Sequence, residues 1–344
     1  MSPRSFVLSF CALSLITLLA YAFSFSSILG APLAAEYWLR GTSLVKLKLA
    51  RDVESPKVLF VGGSSTLFSI DTAQLSMATG KSAINMGLHA GLPLKYHFDF
   101  AKKALRHGDT VVVVPEYGYY RRDLANTEWF INQVLAWDGE YYRNASAKEK
   151  AKFIIDTPGM KIVDAVLSDI FSKRIREKFT YRYPVTEDEA LKVFQAGWNN
   201  VRAKNAPERR VFQYYFNNIN DHGDINNTVG SDSPKTSGYG LIEGFAFNGD
   251  ALSEIANFKE YCDSIGVKMV MGFAPIMNDG VVKNNITAIT KNMDGIKSKM
   301  TSMGIIFIDS PGDVFFDQKY FFDTDSHLNI DGKKLRSHDL ERKI

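Results

Sequence analysis

The chain has only two cysteines in 344 residues, Cys11 and Cys262. Cys11 lies in an apolar run and Cys262 in a stretch with helical spacing, so an intramolecular disulfide between them is not expected. The histidines and cysteines show no metal-ligand spacing either, and no metal or cofactor is called for. An excess of one charge sign is missing as well. Lys and Arg number 41 against 38 Asp and Glu, a formal net charge of +3, which is too small to argue for a nucleic-acid partner. No internal repeat and no low-complexity tract occurs.

Charge is absent altogether from Phe6 to Gly30. An apolar run of about 20 residues spans a bilayer core, whereas a secretory signal has a shorter apolar region of roughly 7–15 residues. Residues 1–30 are therefore read as one uncleaved transmembrane anchor, with Ala20-Tyr21-Ala22 leaving a cleaved signal peptide as the alternative. Residues 31–56 read as a membrane-proximal connector, with Tyr37 and Trp38 as interfacial anchors. Arg4 precedes the span, and Arg40, Lys46, Lys48 and Arg51 follow it, so the positive charges alone favour a cytoplasmic C-terminal domain.

What the chain has in plenty is apolar bulk: 45% hydrophobic residues, with 24 Phe and 15 Tyr, enough for a sizeable core. The remainder, 57–344, begins with "KVLFVGG", a short apolar run ending in turn residues, as in a buried parallel strand. "KSAINMG" and "DTVVVVPEY" read as the next two strands, separated by helical patterns; Asp71 is placed as an N-cap and Gly80 as a stop. The alternation resumes near residue 250 with a helix, the strand "VKMVMGFAPI", one long helix from "VVKNNITAITK" onward, and the strand "IIFIDSP". Such alternation predicts an α/β fold with about five parallel strands and right-handed crossovers. Between about 120 and 240 it is lost, in favour of a mainly helical insertion between strands 3 and 4 that ends in a polar, turn-rich loop. Trp129, Trp137, Tyr141 and Tyr142, at helical spacing in that insertion, read as core. His89, His97, His107 and His222 read as surface or satisfied polar groups.

The chemistry is expected at the carboxyl ends of the strands. Ser64, in Gly62-Gly63-Ser64-Ser65-Thr66, follows the first strand and opens a helix, with Ser65 as a competing nucleophile. A nucleophilic serine needs a base. "FFDTDSHLN" supplies His327 after the last strand, with Asp323 as first choice to orient it and Asp325 as alternate. The chain order Ser, Asp, His suits a triad assembled at one sheet rim.

These segments resemble the SGNH (GDSL-like) hydrolases, over about 57–120 and 250–335 and in three of the family's four blocks. Gly63 stands where the family has Asp, Thr324 stands three residues before His327 where it has Asp, and "PEYGYY" lacks the Asn of the third block. The anchor, "GGSST", "NMGLHAG", "VVVVPEY" and "DTDSHLN" together resemble the membrane-anchored branch that assists alginate O-acetylation and D-alanine transfer to teichoic acid. The resemblance implies a flavodoxin-like three-layer sandwich. It implies Ser64 as nucleophile, oxyanion donors on Ser64 and Gly87, and Asn85, Glu116 and Tyr117 around the substrate. It further implies a domain outside the cytoplasmic membrane, a membrane-bound O-acyltransferase as partner, and a polysaccharide acceptor. A non-catalytic docking partner in envelope polysaccharide modification is the second expectation.

Overall fold

A computed structural model describes residues 2–33, 35–121, 126–178, 186–195, 214, 216, 218–230 and 238–344. The chain forms two compact units: 1–40 with 125–185, and 41–124 with 186–344.

The first unit holds the helix Pro3–Ser27, long and apolar enough to cross a membrane, with none of its most apolar window buried. Phe25, near its end, is fully buried beside Tyr142 and Phe153, ring centroids 5.0 and 5.8 Å away. Short helices follow in the same unit over Glu128–Ala136, Gly139–Asn144 and Ala147–Asp156, then the long helix Gly159–Lys178. Their starts are capped as their sequences dictate. Thr127 accepts from the Phe130 N–H, and Ser146 and Glu149 form a reciprocal capping box. Of the four aromatics read as core, Trp137 and Tyr142 are buried and Trp129 and Tyr141 are partly buried.

The second unit is built on the strands β1 (Val58–Val61), β2 (Ala83–Asn85), β3 (Thr110–Val113), β4 (Lys268–Met271) and β6 (Ile306–Phe307). They form a five-stranded, wholly parallel sheet in the order β2-β1-β3-β4-β6. Val58 pairs with both Ala83 and Thr110, which puts β1 between β2 and β3. β1 is buried along its whole length and β3 along all but its first residue. A parallel sheet covered on both faces requires such unbroken apolar runs. Two short strands, β5 (Ile276–Met277) and β7 (Phe315–Phe316), pair separately. The helix Thr72–Thr79 starts at Asp71, whose carboxylate accepts from the Gln74 N–H, and ends at Gly80.

Three features refine the sequence reading. The connector contains a helix, Tyr37–Asp52, whose Leu44, Val45 and Ala50 are buried. The long helix after β4 is two, Gly280–Asn284 and Ile286–Ser302. Asn285 breaks it by donating its side-chain amide back to the Val281 carbonyl. The polar loop 218–230 is ordered against the sheet edge. The Asn85 N–H donates to the His222 carbonyl at 2.8 Å, and Asp224 accepts from the Thr72 hydroxyl and the Ala73 N–H. The open edge of β2 is thus met by one backbone hydrogen bond and by the His222 ring, which lies 3.0 Å from the Ala83 carbonyl. Residues 122–125, 179–185, 196–213, 215, 217 and 231–237 of the insertion read as mainly helical with a polar loop lie outside the described residues.

Lys46 lies in the buried half of the connector helix, donating to the Gly87 carbonyl at 2.7 Å. Burial pushes its pKa down to about 7, the nearby Asp224 opposes this, and Lys333 adds to it. The folded value lies below the unfolded 10.5, so the unfolded chain binds the extra proton between those two values. Stability therefore rises with pH from about 7 to 10.5, with a slope from this group of up to about 1.4 kcal/mol per unit. Thermal melts at pH 7 and 9 check this: Lys46→Met is expected to flatten the rise shown by the wild-type chain. Parallel curves would contradict it.

Candidate active site

The first strand runs into Gly62 and Gly63, and the next helix begins at Ser64. Both glycines are required by close approach. A Cβ at 62 would lie 2.2 Å from the Thr66 hydroxyl, which donates to the Val114 carbonyl beyond β3. A Cβ at 63 would lie 2.5 Å from each Glu116 carboxylate oxygen and 2.8 Å from the Ala90 Cα. Glu116 Oε1 accepts the Ser65 N–H at 2.8 Å. The carboxylate at this turn comes from beyond the third strand. Gly63 and Glu116 are a matched pair. Gly63→Asp is expected to destabilise the fold by about 1–3 kcal/mol through steric overlap and like charge. Gly63→Asp/Glu116→Ala is expected to lose less stability than the sum of the two single losses, a coupling that chemical denaturation of the four chains measures. Additive losses would contradict the pairing.

His327 sits on a loop folded back like a hairpin. Phe321 and Leu328 form an antiparallel bridge, and the Phe322 N–H donates to the His327 carbonyl at 2.8 Å. Phe321, Leu328 and Met277 make a small core under this base, so the pairing is held by burial. Closing the loop at 322 and 327 puts Asp323 across from His327. Asp323 Oδ1 lies 2.8 Å from His327 Nδ1, and Asp323 Oδ2 accepts from the Tyr214 hydroxyl at 2.5 Å. The turn between them brings the two side chains together across three intervening residues. Asp325 points elsewhere. Its carboxylate accepts from the Ser326 hydroxyl and its carbonyl from the Tyr239 hydroxyl.

Burial would raise the Asp323 pKa, but the His327 hydrogen bond and charge, with the Tyr214 hydrogen bond, outweigh it and hold the carboxyl below its usual value. An ionised carboxylate only accepts, so Nδ1 carries the ring proton in the neutral imidazole and Nε2 carries the lone pair. Phe68 fixes the ring plane, stacked on His327 at 4.1 Å between centroids with 6° between planes. Behind the loop, the helix Ile330–Leu340 is capped by Asn329. Its Arg336 is locked in a fully buried ion pair with Asp309 at the end of β6, and Ser337 accepts from the Asp71 N–H. The loop is thus tied to a rigid element on both sides.

Ser64, Ser65, Glu116, Tyr117, Asp325 and His327 line one cavity of about 510 Å³, with His89, Tyr214 and Tyr239. It opens at the carboxyl ends of β1, β3 and β4, at the crevice where the chain crosses from one side of β1 to the other. Ser64 is half-buried, whereas Ser65 is fully buried and its hydroxyl has no hydrogen-bond partner among the described residues. No Ser64–His327 hydrogen bond is formed, and a serine–base contact is often loose in a ligand-free site. The Tyr117 hydroxyl donates to the carbonyl of Ala274, which also lines the space.

Of the expected site residues, Asp323, Asn85 and Gly87 do not line the cavity, and Asp323 reaches it through His327. Asn85 is fully buried. Its amide nitrogen donates to the Thr66 carbonyl at 3.0 Å, clamping the helix Ser64–Ser69 to β2. Its amide oxygen accepts the Gly87 N–H at 2.9 Å, and Gly87 does not line the space. The Gly87 N–H is therefore engaged internally rather than offered to an oxyanion. Ser64, by contrast, has no partner for its N–H among the described residues. Sequence reasoning missed Phe68, Tyr214 and Tyr239, which lie in no motif. His89, read as a surface or satisfied group, is satisfied by the Gly91 N–H and also faces the cavity.

A scan against protein-family models, a search of curated proteins and a search of solved structures each found no match to this chain.

Proposed function

We propose that the chain is a membrane-anchored SGNH-like protein that transfers or hydrolyses an acyl group, such as acetyl, on a cell-surface polysaccharide. The observation that carries this reading is the Asp323–His327 pair, whose ring shares a cavity with Ser64. Ser64 Oγ attacks the acyl carbonyl, and its proton passes to His327 Nε2. The C–O bond to the leaving alcohol breaks as Nε2 returns the proton to that oxygen, leaving an acyl-Ser64. A sugar hydroxyl or water then gives its proton to Nε2, attacks the acyl carbon and releases Ser64. Asp323 holds Nδ1 and stabilises the imidazolium in both steps. The Ser64 N–H serves as oxyanion donor. With the Gly87 N–H engaged, one donor is lost, a change that costs on the order of 100-fold or more in rate.

The strand order supports a flavodoxin-like three-layer arrangement. The resemblance supports a domain in the periplasm or outside a bacterial cytoplasmic membrane, working with a membrane-bound O-acyltransferase. A second reading, a non-catalytic docking partner in envelope polysaccharide modification, is favoured by the engaged Gly87 N–H. Hydrolysis of p-nitrophenyl acetate by the detergent-solubilised full chain separates the two. A rate above background supports the enzyme, and background alone sinks it as an autonomous activity. For location, a C-terminal alkaline phosphatase fusion is expected to be active; an inactive, stable fusion would put the domain in the cytoplasm, as the Lys/Arg count favours.

A further inference from the structure

The first unit exposes apolar side chains in a pattern. On the helix Gly159–Lys178, Met160 is 67% exposed, Val163 45%, Val166 45% and Leu167 48%, while Ala165 is fully buried. At 3.6 residues per turn, Met160, Val163 and Leu167 fall on the side opposite Ala165, with Val166 at their margin. Ile155, just before this helix, is 80% exposed. A contiguous apolar surface of this kind on a folded chain marks something that covers it.

The same unit indicates the cover. Phe25, at the end of the helix Pro3–Ser27, is sealed against Phe153, two residues before Ile155. The Gly30 N–H donates to the Leu135 carbonyl at 2.6 Å, tying the chain to the unit as it leaves that helix. Phe23, two residues before Phe25, is 78% exposed. The unit is therefore packed against the end of the Pro3–Ser27 helix, whose own apolar surface is exposed as far as Phe23. We propose that the stripe faces the lipid bilayer, so that Gly159–Lys178 begins as an interfacial helix beside the anchor. This rests on reading Pro3–Ser27 as membrane-spanning, and the test keeps the two apart.

The full chain carrying Cys11→Ser is given single cysteines at Val163, Leu167 or Asp164, the last an exposed flank of the same helix; Cys262 is buried. Each is labelled with an environment-sensitive fluorophore and reconstituted into phosphatidylcholine–phosphatidylglycerol vesicles, with or without nitroxide-bearing lipid. Wild-type melting temperatures confirm folding. Labels at 163 and 167 are expected to shift to shorter wavelength and lose most of their emission to the nitroxide lipid, and the label at 164 to lose much less. Water-like emission at 163 and 167 would overturn the proposal. So would a shifted but unquenched signal, which means a protein surface covers the stripe. A label on native Cys11 reports the span separately. If it is quenched while 163 and 167 are not, only the stripe proposal fails; if it is not quenched, the spanning reading fails.

Discussion

Ser64→Ala is expected to bring p-nitrophenyl acetate hydrolysis by the full chain down to background, and His327→Ala to do the same. Residues that act as one unit give losses that do not add, so the double variant should be no slower than either single one. In a working triad the expected fall is about 10³-fold or more, limited in this protein by how far the wild-type rate stands above the uncatalysed one. Ser65→Ala separates the two serines. Ser65 lines the same cavity but is fully buried and its N–H is held by Glu116, whereas Ser64 is half-buried. Removing it should leave most of the rate. An active Ser64→Ala beside an inactive Ser65→Ala would reverse the assignment.

Asp323→Asn is expected to give the second large loss, roughly 10²–10⁴-fold at neutral pH, with folding retained. The amide keeps the shape but can donate to Nδ1, which moves the ring proton to Nε2, where the serine proton must go. Asp325→Asn should cost little, because Asp325 bonds Ser326 and not the ring. The Asp323 carboxyl is held below its usual value, so this contribution persists wherever the folded protein is above that lowered value and fades only as pH falls through it. Measuring kcat and KM separately for both variants decides the matter: the Asp323 change should fall on kcat. Equal losses in the two variants would mean that the geometry of the loop, rather than the Asp323 contact, is what matters.

The sheet was legible because parallel strands buried on both faces leave unbroken apolar runs such as "VLFV" and "TVVV". Ser64, Asp323 and His327 were legible because turn residues after such runs fall at one rim. The matter that the sequence hid is tertiary. Nothing local says that Phe321 pairs with Leu328, yet that pairing is what turns an irregular Asp/His spacing into a 2.8 Å contact. Asn85 and Gly87 sat where a motif would place functional groups. They instead bond each other, and Asn85 clamps the Ser64 helix. Glu116 was placed near substrate, but its fit against Gly63 depends on which strands are neighbours. The lysines of "LVKLKLA" masked a helix because one of them, Lys46, is buried.

The central claim is that Ser64 is a nucleophile driven by His327. Reaction of the folded full chain with a fluorophosphonate, followed by peptide mass spectrometry, tests it most directly. A single adduct on Ser64, lost in His327→Ala, is the predicted result. An adduct on Ser65, or none on wild-type protein that melts normally, would contradict it.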